Sequence, residues 1–205
     1  MITELLLLAL VAEPPPQKPV GIVAGADYPT GALMRGEQGS VYFQLIVSPE
    51  GRVDSCTILI SSGFKNLDDA TCLLVTSRAR FSPAQDDNGR PIYGTYRQLI
   101  NWRIAGLAAP PQKAITPDVE LTINRAPPGT KLPLQFTIRY FINAKGTTDH
   151  CQSADAKPTR VAPPQVLVDL ACSAVNKSPM QLVRNHNNEP VDASDTATVR
   201  FSVKP

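Results

Sequence analysis

The sequence predicts an α+β protein made of two tandem, small, two-layer domains. Each is a ββαβ unit with a three-stranded antiparallel sheet packed on one helix. Three observations predict this. First, the run Val41-Tyr42-Phe43-Gln44-Leu45-Ile46-Val47 alternates Val41, Phe43, Leu45 and Val47 on one face against Tyr42, Gln44 and Ile46 on the other, a period-two strand signal. Second, the pattern returns as Phe136-Thr137-Ile138-Arg139-Tyr140-Phe141-Ile142, and in the hairpins that follow, Gly51, Asp54 and Cys56 recur as Gly146, Asp149 and Cys151 at one offset (146 − 51 = 149 − 54 = 151 − 56 = 95). Third, each unit carries a second cysteine downstream, Cys72 and Cys172.

In the first unit, Gly39–Val47 is the opening strand, and Ser48-Pro49-Glu50-Gly51 is a turn with Gly where a positive φ is needed. Arg52–Ile60 returns with Cys56, Ile58 and Ile60 on one face, and Ser61-Ser62-Gly63 ends it. Leu67-Asp68-Asp69 opens a helix with two acids facing its dipole favourably; Leu67, Ala70, Thr71, Leu74 and Arg78 follow at helical spacing, and Phe81-Ser82-Pro83 stops it. Asp86-Asp87-Asn88-Gly89 is a turn, and 90–104 is a long last strand. The second unit reads the same way with strands at 132–142 and 147–153, a helix at 165–176 and a last strand at 196–203; a short strand at 116–125 precedes it. The chain then divides into a signal-like apolar segment 1–12, a Pro-rich lead-in 13–27, domains 28–105 and 116–205, and a linker 106–115.

Composition narrows the function. At 205 residues the chain is comfortable for two domains of about 100. Twenty basic and 18 acidic residues leave a net charge of +2 and no basic stripe, so nucleic acid is not an expected partner. The 20 prolines cluster at 14–19, 110–117, 127–133 and 158–164, where loops and linkers are expected. Four cysteines without CxxC spacing, and only two histidines, His150 and His186, argue against zinc. Four cysteines allow three connectivities. Only Cys56–Cys72 with Cys151–Cys172 keeps each bridge within its own unit; free buried thiols are the alternative. Each bridge would contribute about 3 kcal/mol by closing a loop of about 20 residues. Leu5–Ala12 is too short to span a bilayer, which takes ~20 residues, and fits the core of an export signal, although Glu4 stands where a positive charge is expected.

Several of these residues stand in the order of one family. Tyr28-Pro29, Gly39-Ser40-Val41 through Gly51-Arg52-Val53, Ser61-Ser62-Gly63, Leu67-Asp68, Ala79-Arg80-Phe81-Ser82-Pro83 and Asn88-Gly89-Arg90-Pro91 resemble the C-terminal domain of TonB, the energy transducer of Gram-negative bacteria. The resemblance spans about residues 26–104 and reaches the second unit through the repeat. It implies a periplasmic, non-enzymatic module. Such a module grips an extended peptide of an outer-membrane transporter, or of another periplasmic protein, by adding it as a strand. On that resemblance the partner meets Tyr28 and Pro29 and the last strand of unit one, with Tyr93, Thr95, Arg97, Leu99 and Asn101 on one face. Family transducers also carry a membrane anchor and a long spacer. Here Glu13–Pro19 would span only ~22 Å as polyproline II. The expectation is therefore a binding module, with an energy transducer as the alternative should an anchor precede Met1.

Catalytic readings are weaker. A reactive thiol needs a histidine or another base beside it, and unit one has no histidine. Asp68-Asp69 and Asp86-Asp87 read as helix-start and turn residues, no HExxH or Gly-x-Ser-x-Gly occurs, and neither cofactor nor metal is expected. Tyr96 and Trp102 read as packing on the helix, with partner-facing aromatics as the alternative.

Overall fold

A computed structural model describes residues 23–154, 162–177 and 182–204, so the signal-like segment 1–12 and residues 13–22 of the lead-in fall outside the described residues. A 3₁₀ turn (Gly25–Asp27) and a short helix α1 (Thr30–Met34) lead into β1 (Gly39–Val47), β2 (Val53–Ile60), α2 (Lys65–Arg78), β3 (Ala84–Gln85) and β4 (Pro91–Trp102). The second half follows as β5 (Val119–Ile123), β6 (Leu134–Ile142), β7 (Thr148–Ser153), α3 (Gln165–Lys177) and β8 (Ala193–Val203).

The fold is mixed α+β, but the expected pair of separate three-stranded sheets is corrected. All eight strands form one sheet in the order β2-β1-β4-β8-β6-β7, with β3 beside β4 and β5 beside β8. The cause is a parallel pairing between the two halves, Tyr93 with Ala193 and Gly94 with Ser194. Long-range register of this kind leaves no local signature in a sequence.

Burial follows the alternation. In β1 the side chains of Val41, Phe43, Leu45 and Val47 are buried against Leu67, Thr71 and Val75 of α2, with Trp102 and Phe81 closing the layer. In β6, Phe136, Ile138, Tyr140 and Ile142 are buried with Leu167, Ala171 and Val175 of α3. Ile46 and Tyr93, one residue out of phase with the first core, pack on the second. The two helices therefore cover opposite faces of the shared sheet.

The turns repeat as well. Gly51 N–H donates to the Ser48 carbonyl and Ser48 N–H to Arg52; Gly146 N–H donates to Asn143 and Asn143 N–H to Thr147. Asp86 and Asn185 each take two main-chain N–H groups on a side-chain oxygen, in turns whose left-handed residues are Gly89 (φ 73) and Asn188 (φ 63). Both disulfides form as the repeat requires: Cys56–Cys72 ties β2 to α2 and Cys151–Cys172 ties β7 to α3, so no free cysteine remains.

Asp68 does more than face a helix dipole. Its carboxylate accepts from the Ser61 and Ser62 hydroxyls and the Ser62 N–H at 2.6 to 2.9 Å, which clasps the Ser-Ser-Gly loop to the first turn of α2. At the far end Arg78 donates to both oxygens of Asp27 at 2.7 and 2.8 Å, fastening the lead-in to the last turn. Among the described residues no helix is long and apolar enough to cross a membrane.

Candidate partner-binding edge

β4 positions the candidate site. One border pairs with β1 from Gly94 to Trp102 without interruption. The other pairs with β8 at Tyr93 and Gly94, while β3 pairs with β4 at Pro91 and Ile92, before the β1 pairing begins. Among the described residues no strand is laddered to this second border from Thr95 to Trp102. A row of main-chain donors and acceptors there is a template for another chain.

The even-numbered face turns inward. Trp102 is 2% exposed, donates its indole N–H to Thr71 Oγ1 at 2.8 Å, and meets Tyr28 edge to face at 5.2 Å. Tyr96 packs on Phe81, and Ile100 on the same core. Both aromatics thus pack into the first core, Trp102 directly on α2.

The odd-numbered face carries the residues expected to meet a partner, and the second half takes three of them. Tyr93 packs against the second core. Thr95 is buried and donates its hydroxyl to Asp195, which also accepts from the Tyr140 hydroxyl at 2.9 Å. Arg97 donates Nε to Gln44 at 2.7 Å and Nη1 to both oxygens of Asp118 at 2.7 and 2.8 Å. Burial, reinforced by the Asp195 carboxylate, pushes the Tyr140 phenol far above its ordinary pKa, so it stays a donor. Leu99 is half-buried, and Asn101 is exposed and accepts from Ser40 and Gln112.

Tyr28 and Pro29 lie apart from this face. The Tyr28 hydroxyl donates to the Glu37 carbonyl, and Pro29 lines a cleft of about 640 Å³ between α1 and α2. The structure therefore does not gather Tyr28, Pro29 and the β4 residues into one surface.

Sequence reading missed the groups that hold the seam between the halves: Asp118, Tyr140, Asp195 and both histidines. One signal was present. Asp195 occupies a core position in a strand whose same-face neighbours are Ala193, Ala197, Val199 and Phe201, and a carboxylate at such a position needs partners. His186 reaches across to Asp54, its main-chain N–H at 2.6 Å and Nδ1 at 2.7 Å, while His150 Nε2 lies 3.0 Å from Asp87. Among the described residues no group of three or more His, Cys, Asp or Glu side chains is placed to hold a metal ion.

The fold and this edge define a class: a small disulfide-tied α+β module whose sheet leaves a long strand border unladdered. Residues 24–104 match the family model described as Gram-negative bacterial TonB protein C-terminal. Three curated relatives, each named Protein TonB, come from Neisseria meningitidis serogroups C, A and B. Each is 42% identical over 55 residues, covering 27% of this chain. The match spans 20% of each relative's own length. No solved structure matches the chain.

Proposed function

We propose that this is a periplasmic binding module that captures an extended segment of another envelope protein by strand addition to the outer border of β4. The observation that carries the reading is the unladdered stretch Thr95–Trp102, held straight by β1 along its whole length on the other side. Main-chain hydrogen bonds would supply affinity and the alternating side chains selectivity. The TonB C-terminal match supports an outer-membrane transporter as the kind of partner. Disulfides favour an oxidising compartment, which the periplasm is.

The second half is a diverged copy of the first in this reading. It repeats the element order, the strand-to-helix disulfide, the turn hydrogen bonds and the core spacing of Leu67, Thr71 and Val75 as Leu167, Ala171 and Val175. In this reading both cysteine pairs are structural, each tying the second strand of a unit to its helix.

The test is titration of the oxidised chain with synthetic peptides copied from the N-terminal segments of outer-membrane transporters, with amide exchange as readout. Slowed exchange across 95–102 is expected; unchanged exchange there contradicts the proposal. A second reading, energy transduction, draws on the name of the relatives. Its test is restoration of iron-chelate uptake in a Gram-negative strain lacking its own TonB.

A further inference from the structure

The two halves treat the same border differently. β1 pairs with β4 from Gly39 with Trp102 to Val47 with Gly94, and β6 pairs with β8 from Leu134 with Phe201 to Ile142 with Ala193. β6 repeats β1 at an offset of 95 (134 − 39 = 142 − 47 = 95), so Trp102 corresponds to Phe201 and Gly94 to Ala193 (201 − 102 = 193 − 94 = 99). The border of β8 turned away from β6 is therefore the counterpart of the open border of β4. In the second half it is filled. β5 lies along it in parallel, from Val119 beside Val199 to Ile123 beside Val203. On β4 the matching stretch begins at Ile100 (199 − 99 = 100), where no strand is laddered among the described residues.

β5 is held chiefly by this ladder. Val119, Leu121 and Ile123 pack on the second core, but each stays half-buried, and Glu120 and Thr122 are exposed, whereas β6 buries Phe136, Ile138, Tyr140 and Ile142. The stretches on either side, 103–118 and 124–133, belong to no helix or strand and are rich in proline. The connector before β5 meets the first half through polar contacts, Gln112 with Asn101 and Lys113 with the Ser61 carbonyl. Asp118 fixes the entry to β5. Its N–H donates to the Thr198 carbonyl at 2.9 Å, and its carboxylate accepts from the Thr198 N–H at 2.7 Å and from Arg97. At the exit the Lys204 N–H donates to the Ile123 carbonyl. Main-chain groups alternate in direction along a strand, so the N–H groups of Arg200 and Ser202, in phase with Lys204, also point to β5.

We infer that β5 is a built-in stand-in for a partner segment: it closes the strand-addition border of the second half, and a free segment of the same pattern enters there only in exchange for β5. The inference rests on the strand-addition reading and gives the second half its place in it, as a site the chain itself keeps occupied. Room for one strand beside β8 is set by β5. The segment that fits is set by what β5 presents there. An acid meets the Thr198 N–H, then apolar residues at alternate positions face the second core and polar ones stand between them. The protein thus offers one open border, on β4, and one guarded border, on β8.

The probe is a synthetic peptide copying residues 117–125, added in excess to the full oxidised chain and followed by amide exchange. In the native chain it leaves the amides of Arg200, Ser202 and Lys204 unchanged. Leu121→Asp puts a charge at a half-buried position and frees β5. In that variant the same amides exchange about tenfold faster or more, and the peptide returns them to near-native rates. Slow exchange of the β6 amides shows that the variant is folded. A peptide that alters these β8 amides in the native chain overturns the closure. A folded variant in which they stay as slow as in the native chain, or in which the peptide does not cover them again, overturns the exchange. Should the variant unfold, native-chain exchange in mild urea decides. Opening of 119–123 together with these β8 amides, at lower urea than β6, supports the inference; opening only together with β6 overturns it. Slowing at 95–102 reports on β4, so its absence counts against strand addition there and is read apart from the result on β8.

Discussion

Thr95 of the first half donates its hydroxyl proton to the buried carboxylate of Asp195 in the second, a residue 100 positions away. Tyr140 donates to the other oxygen of the same carboxylate. Asp195 is 8% exposed, so these donors, its own Thr196 N–H and the nearby Arg97 offset the cost of burying a charge. Removing the carboxylate strands both hydroxyls at the seam. Asp195→Ala is expected to lower unfolding free energy by about 3 kcal/mol in urea titrations, and Asp195→Asn, which keeps an acceptor, by about 1 kcal/mol. Equal, small losses would show that the seam carries little of the stability.

Gly51 and Gly89 share a φ of 73° yet differ in surroundings. A Cβ on Gly51 would lie 2.1 Å from the Phe81 carbonyl oxygen, which is main chain and has no freedom to withdraw, whereas nothing lies within 4 Å of one on Gly89. Gly89→Ala is expected to cost about 1 kcal/mol through backbone strain alone. Gly51→Ala is expected to cost at least about 3 kcal/mol, because it also opens the contact that carries Phe81 N–H to the Gly51 carbonyl. Thermal midpoints of the two variants, compared side by side, check the difference.

How much of this could be read in advance divides by range. β1 was legible to its last residue, because one face of Gly39–Val47 is buried and the other is not. The disulfides were legible through the repeat, since each joins the second strand of a unit to its helix. The helix Thr30–Met34 was not, because a five-residue helix is held by its contacts and not by its own periodicity. β3, with two residues, has no pattern to read. The fusion of the halves was least legible of all. Tyr93–Ala193 and Thr95–Asp195 join residues whose local sequence says strand and nothing about which strand lies next to them. That fusion is why three of the five β4 residues on the expected binding face are engaged within the chain.

Reduction separates the contributions of the two bridges. Non-reducing peptide mapping is expected to return Cys56 with Cys72 and Cys151 with Cys172. Replacing either pair by serine should lower unfolding free energy by about 3 kcal/mol, by releasing a closed loop in the unfolded chain. A cross-pair such as Cys56 with Cys151 would contradict the fold.

Acid should weaken the protein through carboxylates held below their ordinary range, three of them beside an arginine that hydrogen-bonds to them. The Arg78 guanidinium holds the Asp27 carboxyl below its ordinary range, Arg35 does the same for Glu37, and the main-chain N–H and guanidinium of Arg90 for Asp86. A lowered folded-state pKa means the unfolded chain binds protons first as pH drops. The stabilisation is complete above the ordinary carboxylate values, ~4 to 4.5, and is lost as pH falls through the lower folded values. Unfolding midpoints should therefore fall between about pH 5 and pH 2, and Asp27→Asn should flatten that fall. A midpoint that rises over the same interval would contradict the assignment.

The central claim, that the outer border of β4 receives another chain, is tested most directly by isotope-filtered NOE spectroscopy of the oxidised protein with a bound unlabelled peptide. Cross-strand NOEs between the peptide main chain and the main-chain protons of Thr95–Asn101 are the expected result. NOEs that fall instead on β2, on β7 or on the outer faces of α2 and α3 would contradict it.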